Sequence, residues 1–144
     1  MAIRNRATAV WTGDLKSGSG QVSTASGALA GVGYDFRKRF EGEAGTNPEE
    51  LIGAAHAGCF AMALTLMLEQ AGHAPAYVDA TAEVTIDAVD GGFAITGSHL
   101  VCRASVPDID EETFRRHAEE AKAGCPVSRA LAGTEITLDA ALAG

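Results

Sequence analysis

Hydrophobic and polar positions alternate most regularly over residues 76–89, AYVDATAEVTIDAV. Val78, Ala80, Ala82, Val84, Ile86 and Ala88 are interleaved with Asp79, Thr81, Glu83, Thr85 and Asp87. A period of two puts one set on an apolar face and the other on a wet face, the mark of a half-buried strand. The turn Asp90-Gly91-Gly92 folds it onto FAITGSHLVCRASV, a second strand with an irregularity expected at Gly97.

The first third of the chain reads as short strands and loops. Ile3 to Trp11 is strand-like, GDLKSGSG is a flexible turn, and Gln21 to Ala25 is its hairpin partner. Tyr34 to Phe40 is read as a further strand, with Phe36, Lys38 and Phe40 on one face and Arg37 and Arg39 on the other.

A different pattern begins at TNPEELIGAAHAGCFAMALTLMLEQAG, Thr46 to Gly72. Asn47 is placed to cap a helix, Pro48 suits its first position, and Glu49 and Glu50 suit its first turn. From Leu51 to Leu68 there is no charged residue. Such a run meets the length requirement of a membrane span, yet it holds glycines, a histidine and many alanines, and strands surround it. It reads as the buried helix of a core rather than a bilayer segment. A helix apolar on every side needs cover on every side, and one small sheet covers one face. A homodimer with shared sheets around central helices is the expected solution.

A second helix is marked by Asp110 as cap, by Ile109 and Phe114 at the positions of a hydrophobic staple, and by Gly124 and Pro126 at its end. Thr134 to Ala140 alternates again as a closing strand. The order of elements predicts an α+β protein with helices packed on antiparallel sheet, one domain over residues 1–144. It shows no internal repeat.

Composition narrows the function. Eleven basic against nineteen acidic residues give a net charge of -8. The one dense basic group, Arg37-Lys38-Arg39, is too short for a nucleic-acid footprint. The start MAIRNRATAVWTGD lacks the apolar core of a secretory signal, so a cytoplasmic location is expected. Three cysteines in a reducing compartment point to redox or metal chemistry before structural disulfides.

Of these cysteines, Cys102 alternates with Leu100, Ala104 and Val106 on an apolar strand face and reads as core filler. Cys125, in GCPVSRAL, precedes a new helix at Pro126, where unpaired N–H groups and the helix dipole favour a thiolate. Cys59 lies several turns inside its helix, so a reactive thiol there needs a cation from elsewhere, and Arg37 and Arg39 are the available suppliers. His56 and Cys59 stand at metal-ligand spacing, but no second tight pair accompanies them. No glycine fingerprint for a nucleotide cofactor is present. From spacing alone, a redox pair of Cys59 and Cys125 stands beside the plainer reading of Cys59 as a small core hydrophobe.

RFEGEAGTNPEELIGAAHAGCFAMALTLML, followed much later by AGCPVSRAL, resembles the OsmC/Ohr family of thiol-dependent hydroperoxide reductases, and most of all its osmotically inducible branch. The resemblance is detailed over residues 39–68 and 123–131. It implies an intertwined homodimer in which antiparallel sheets wrap two long central helices. It implies that Cys59 is the peroxidatic cysteine, Cys125 the resolving one, Arg39 the arginine against the thiolate, and Glu49 the carboxylate that orients it. It also implies a chemistry: a thiolate attacks the hydroperoxide, the resulting sulfenic acid condenses with the second thiol, and an external dithiol reopens the disulfide. No bound cofactor is implied. The resemblance implies organic peroxides and, less efficiently, hydrogen peroxide as substrates.

Ten residues of continuous helix would separate Glu49 from Cys59 by about 15 Å along the axis. Either the helix breaks at Gly53 or Gly58, or the acid and arginine act from the partner subunit, which is the reading preferred here. Two rivals remain at this level: a Cys/His hydrolase with His56 as base, and a dimeric binding protein for a small apolar ligand.

Overall fold

The computed structural model describes residues 1–143, which fall into two compact units, one of residues 1–51 and one from residue 52 onward. The first holds an antiparallel sheet, β1 (Ala7–Thr12), β2 (Ser19–Thr24) and β3 (Val32–Tyr34), in that order. Trp11 on β1 and Tyr34 on β3 meet across β2 with ring centroids 5.6 Å apart. They can do so because the residue beneath them is Gly20, where a Cβ would fall 2.6–2.7 Å from both rings. Any larger residue would push the two aromatics apart.

The chain from Phe36 to Phe40 is not a strand, as its alternation suggested, but a short helix, α1. Asp35 decides the matter. Its carboxylate accepts a hydrogen bond from the Lys38 backbone N–H at 2.9 Å, the geometry of a helix cap. Phe36 and Phe40 then share a face by i, i+4 spacing, with centroids 5.0 Å apart.

Helix α2 (Pro48–Gln70) starts where its sequence marks it. Asn47 Oδ1 accepts from the Glu50 N–H at 2.8 Å, and the helix runs without a break to Gln70. It ends at Gly72, whose positive φ of 87° lets the chain turn while the His73 N–H returns to the Leu68 carbonyl.

The second unit carries most of α2 on a second sheet. Strands β4 (Tyr77–Val89) and β5 (Gly92–Ser105) form a long antiparallel hairpin. The expected irregularity is present: Thr85 faces Gly97 but Ile86 faces Ile95, which leaves Thr96 as the extra residue of a bulge. Helices α3 (Glu111–Gly124) and α4 (Pro126–Ala130) lead to β6 (Glu135–Leu142). Strand β6 lies parallel to β5, so this sheet is mixed where an antiparallel one was expected. A crossover through two helices returns the chain in the same direction, as a tight hairpin cannot.

Helix α2 buries one stripe. His56, Phe60, Leu64 and Leu68 follow one another at four-residue intervals and are fully buried. They meet the inward residues of β5, Leu100, Cys102 and Ala104, and those of α3, Phe114, Ala118 and Ala121. Gly53 allows the approach, since a Cβ there would stand 3.1 Å from the Ala82 carbonyl on β4. The opposite face of the helix is bare in the single chain. Met62 is 76% and Leu66 53% exposed, and Ala55 and Gly58 continue the same stripe. By length and composition α2 could cross a membrane, with 28% of its most apolar window buried.

Candidate active site

Cys59 sits one position before Phe60, at the edge of the buried stripe, and is half-buried. Cys125 is almost wholly enclosed, at 1% exposure, where α3 ends and α4 begins. The fold brings the two together. The Cys59 thiol interacts with the Cys125 side chain and with the Val127 backbone N–H. Burial is the main influence on its acidity and pushes its pKa up; the Val127 N–H pulls it down, and Cys125 adds to the rise. Among the described residues, the groups that act on Cys59 are Val127 and Cys125, neither of them a cation. Both cysteines open onto an apolar recess of about 900 Å³, lined also by Met62, Ala63, Leu66 and Val78.

The position of Cys125 follows from local structure. Its N–H completes α3 by donating to the Ala121 carbonyl at 2.9 Å. Its sulfur caps α4 by accepting from the Ser128 N–H at 3.3 Å, with Pro126 in the first position of that helix. The cap expected from GCPVS is therefore formed, on a helix of five residues.

His56 does not stand over Cys59 as a base. Its Nδ1 is 2.7 Å from Ser98 Oγ and its Nε2 2.8 Å from Ser128 Oγ, so both ring nitrogens are engaged. Burial lowers its pKa below the ordinary histidine value. Ser98 faces inward because it shares the period-two face of Leu100 and Cys102 on β5. Neither serine was singled out from the sequence. The available signal was His56 itself, a polar ring on the apolar stripe that must find partners when buried.

In the first unit, the Arg39 guanidinium meets the Glu49 carboxylate side-on, Nε to Oε1 at 3.0 Å and Nη2 to Oε2 at 3.1 Å. Glu49 is buried, and Arg39 also lies over the Phe40 ring, 5.2 Å from its centroid. Arg39 borders a small cleft of about 190 Å³ shared with Trp11, Tyr34, Phe36 and Phe40. Arg37, the other candidate cation, is exposed and pairs with Glu41 and Glu43. Cys102 is buried on β5, where burial raises its pKa to about 11. Among the described residues, no group of three or more His, Cys, Asp or Glu is arranged to hold a metal ion.

An α+β fold with a capped thiol beside a half-buried one, and a clamped arginine on the preceding segment, is the pattern expected of a thiol-based redox protein. Comparison with known proteins agrees. Residues 40–140 match the family model described as OsmC-like protein. The chain belongs to the OsmC family. It is 57% identical over 139 residues to the peroxiredoxin OsmC of Escherichia coli K12, covering 96% of each chain. The crystal structure of the organic hydroperoxide resistance protein OhrB of Bacillus subtilis superposes with a TM-score of 0.73 at 27% identity, covering 94% of this chain and 97% of that one. An organic hydroperoxide resistance protein from Elizabethkingia anophelis gives 0.76 at 28% identity, covering 99% and 100%.

Proposed function

We propose that this protein is a thiol-dependent peroxidase of stress defence that reduces organic hydroperoxides to alcohols and, less efficiently, hydrogen peroxide to water. The observation that carries the reading is the pairing of the half-buried Cys59 with Cys125. Cys59, the more accessible of the two, attacks the terminal oxygen of the hydroperoxide as thiolate; the O–O bond breaks, the alcohol leaves and Cys59 becomes a sulfenic acid. Cys125 is already beside it and condenses with it to a disulfide, with loss of water. An external dithiol then restores both thiols. No bound cofactor takes part.

Burial raises the Cys59 pKa, and a cation supplied by a partner chain would favour its thiolate. The continuous α2, Pro48–Gln70, supports a site shared between chains over one made by a kink in the helix. The protein works as a homodimer of one OsmC-like domain per chain. The Arg39–Glu49 pair of each subunit serves Cys59 of the other, lowering its pKa and stabilising charge on the leaving oxygen. The bare stripe of Met62 and Leu66 is covered by the partner's helix rather than by lipid, in a cytoplasmic protein. A hydrolase reading lacks a base at Cys59, because His56 turns to Ser98 and Ser128 and is not among the groups that act on that thiol.

The test is to add one equivalent of cumene hydroperoxide to reduced protein and map the thiols by mass spectrometry. Rapid loss of two thiols as a Cys59–Cys125 disulfide, with Cys102 free, is the expected result. Survival of all three thiols in excess peroxide would reduce Cys59 to a packing residue.

A further inference from the structure

The buried polar chain behind Cys125 has no part in the reaction described so far. It runs from Cys125 Sγ to Ser128 Oγ at 3.2 Å, from there to His56 Nε2 at 2.8 Å, and from His56 Nδ1 to Ser98 Oγ at 2.7 Å. All four side chains are at least nine-tenths buried. Burying a histidine and two serines among Phe60, Leu64 and Leu100 costs stability unless every polar atom is matched, and an apolar filling of the same space would avoid that cost. The network also has a direction. Ser128 has one hydroxyl proton, and it accepts the Cys125 S–H, so its own proton points at His56 Nε2. His56 then carries its proton on Nδ1 and donates to Ser98, a single tautomer that satisfies each contact.

We infer that Ser128 and His56 form a proton relay dedicated to the resolving thiol, with Ser128 touching the reacting sulfur and His56 acting through it as a positioning residue. The inference rests on the peroxidase reading above. In the resolving step the Cys125 S–H bond breaks and its proton passes to Ser128 Oγ, as the Ser128 proton passes to His56 Nε2. The sulfur electron pair of Cys125 attacks the Cys59 sulfur, the S–S bond forms and the S–O bond of the sulfenic acid breaks. The departing hydroxide takes a proton from solvent and leaves as water. Cys125 is oxidised and the sulfenic sulfur reduced. Once the disulfide has formed, His56 gives that proton up to solvent and is neutral again; when the external dithiol later reopens the disulfide, the Cys125 sulfur is reprotonated by a thiol proton of the dithiol.

Two further observations support this arrangement. Burial lowers the pKa of His56, which keeps the ring neutral and able to accept at ordinary pH. The Ser128 N–H also holds the Cys125 sulfur, at 3.3 Å, so the sulfur is oriented by the same residue that takes its proton. The relay stands on Cys125 alone: the groups that act on Cys59 are Val127 and Cys125, not His56 or Ser128. It therefore bears on the second step and leaves the first untouched.

The experiment separates those steps. Reduced wild type, His56→Gln and Ser128→Ala proteins are mixed with one equivalent of cumene hydroperoxide without reductant. Cumyl alcohol release reports the first step, and disulfide formation, with dimedone trapping of the sulfenic acid, reports the second. Expected are unchanged alcohol release and disulfide formation slowed about 10²-fold in both variants. A dimedone adduct on Cys59 should accumulate, and a solvent deuterium effect on the wild-type second step should shrink in the variants. Ser128→Ala removes one oxygen and carries the test where His56→Gln fails to fold, as judged by circular dichroism. Disulfide formation at the wild-type rate in the variants, or an equal slowing of both steps, overturns the relay. If wild type itself releases alcohol or consumes peroxide without forming the Cys59–Cys125 disulfide, the peroxidase reading falls first, and the two failures are told apart by that control.

Discussion

Arg39 holds Glu49 through two parallel hydrogen bonds, at 3.0 and 3.1 Å, with the carboxylate buried and the guanidinium about one-third exposed. A bidentate pair of this kind fixes the plane of the guanidinium as well as its charge. Lysine keeps the charge and loses the plane. Arg39→Lys and Glu49→Gln are each expected to lower kcat/KM for cumene hydroperoxide by about 10²-fold while leaving the fold intact. Steady-state kinetics beside a thermal melt checks this, and a change below twofold would remove the pair from the site.

Sharing of the site across a dimer has its own signature. Mixed dimers of Cys59→Ser and Arg39→Ala subunits contain one site with Cys59 from one chain and Arg39 from the other. Activity is expected to return on mixing two inactive parents, in proportion to the heterodimer isolated. A verified heterodimer without activity would place arginine and cysteine in the same chain.

The bare stripe of α2 predicts how to take the dimer apart. Leu66 is more than half exposed in the single chain, so Leu66→Glu leaves the chain's own core alone. It places a charge in the apolar face that a partner helix covers in the proposed homodimer, which would cost several kcal/mol of association. Sedimentation should move toward the 14.8 kDa monomer, and peroxidase activity should fall with it.

Asp35 carries a prediction that a strand at this position could not make. Asp35→Ala removes the cap of α1 and costs about 1 kcal/mol of stability. Because α1 is the element that carries Arg39, peroxidase activity should fall as well. Asp35→Asn, which can still accept from Lys38 N–H, should recover most of both.

Cys102 sets a pH dependence of stability. Its pKa is raised from 9.0 to about 11 in the folded chain, chiefly by burial. A thiol with a raised folded pKa stabilises the fold fully below its unfolded value. That contribution is lost as pH rises from about 9 through 11. Over that window wild type should lose about 2–3 kcal/mol that Cys102→Ala does not lose, measured by urea unfolding at each pH. The substitution should leave peroxide turnover unchanged.

The elements with redundant signals were legible in the sequence. Asn47 and Pro48 begin α2, the alternation from Val78 to Ala88 is β4, and Asp110 caps α3, where its Oδ1 accepts from the Thr113 N–H at 2.6 Å. Residues 36–40 misled because five residues fit a period of two and of 3.6 about equally well, and the cap signal of Asp35 decided the outcome. The direction of β6 is not carried by its alternation but by the long helical crossover before it. Within the site, the juxtaposition of Cys59 and Cys125 followed from family resemblance rather than from spacing. Ser98 and Ser128 lie 42 and 72 residues from His56, and no local pattern connects such distant positions.

Cys125 closes one helix with its amide and opens the next with its sulfur. No residue of slack lies between the two elements. In a library of single-residue insertions, the junction of residues 124–126 should tolerate none. An added residue would shift the register of the closing carbonyl bond or rotate the sulfur away from its partner. The turn at Asp90 and Gly91, by contrast, is exposed and should accept insertions readily. The reach of the Cys125 sulfur is thus written into the backbone, and it can be retuned only by rebuilding both helices together.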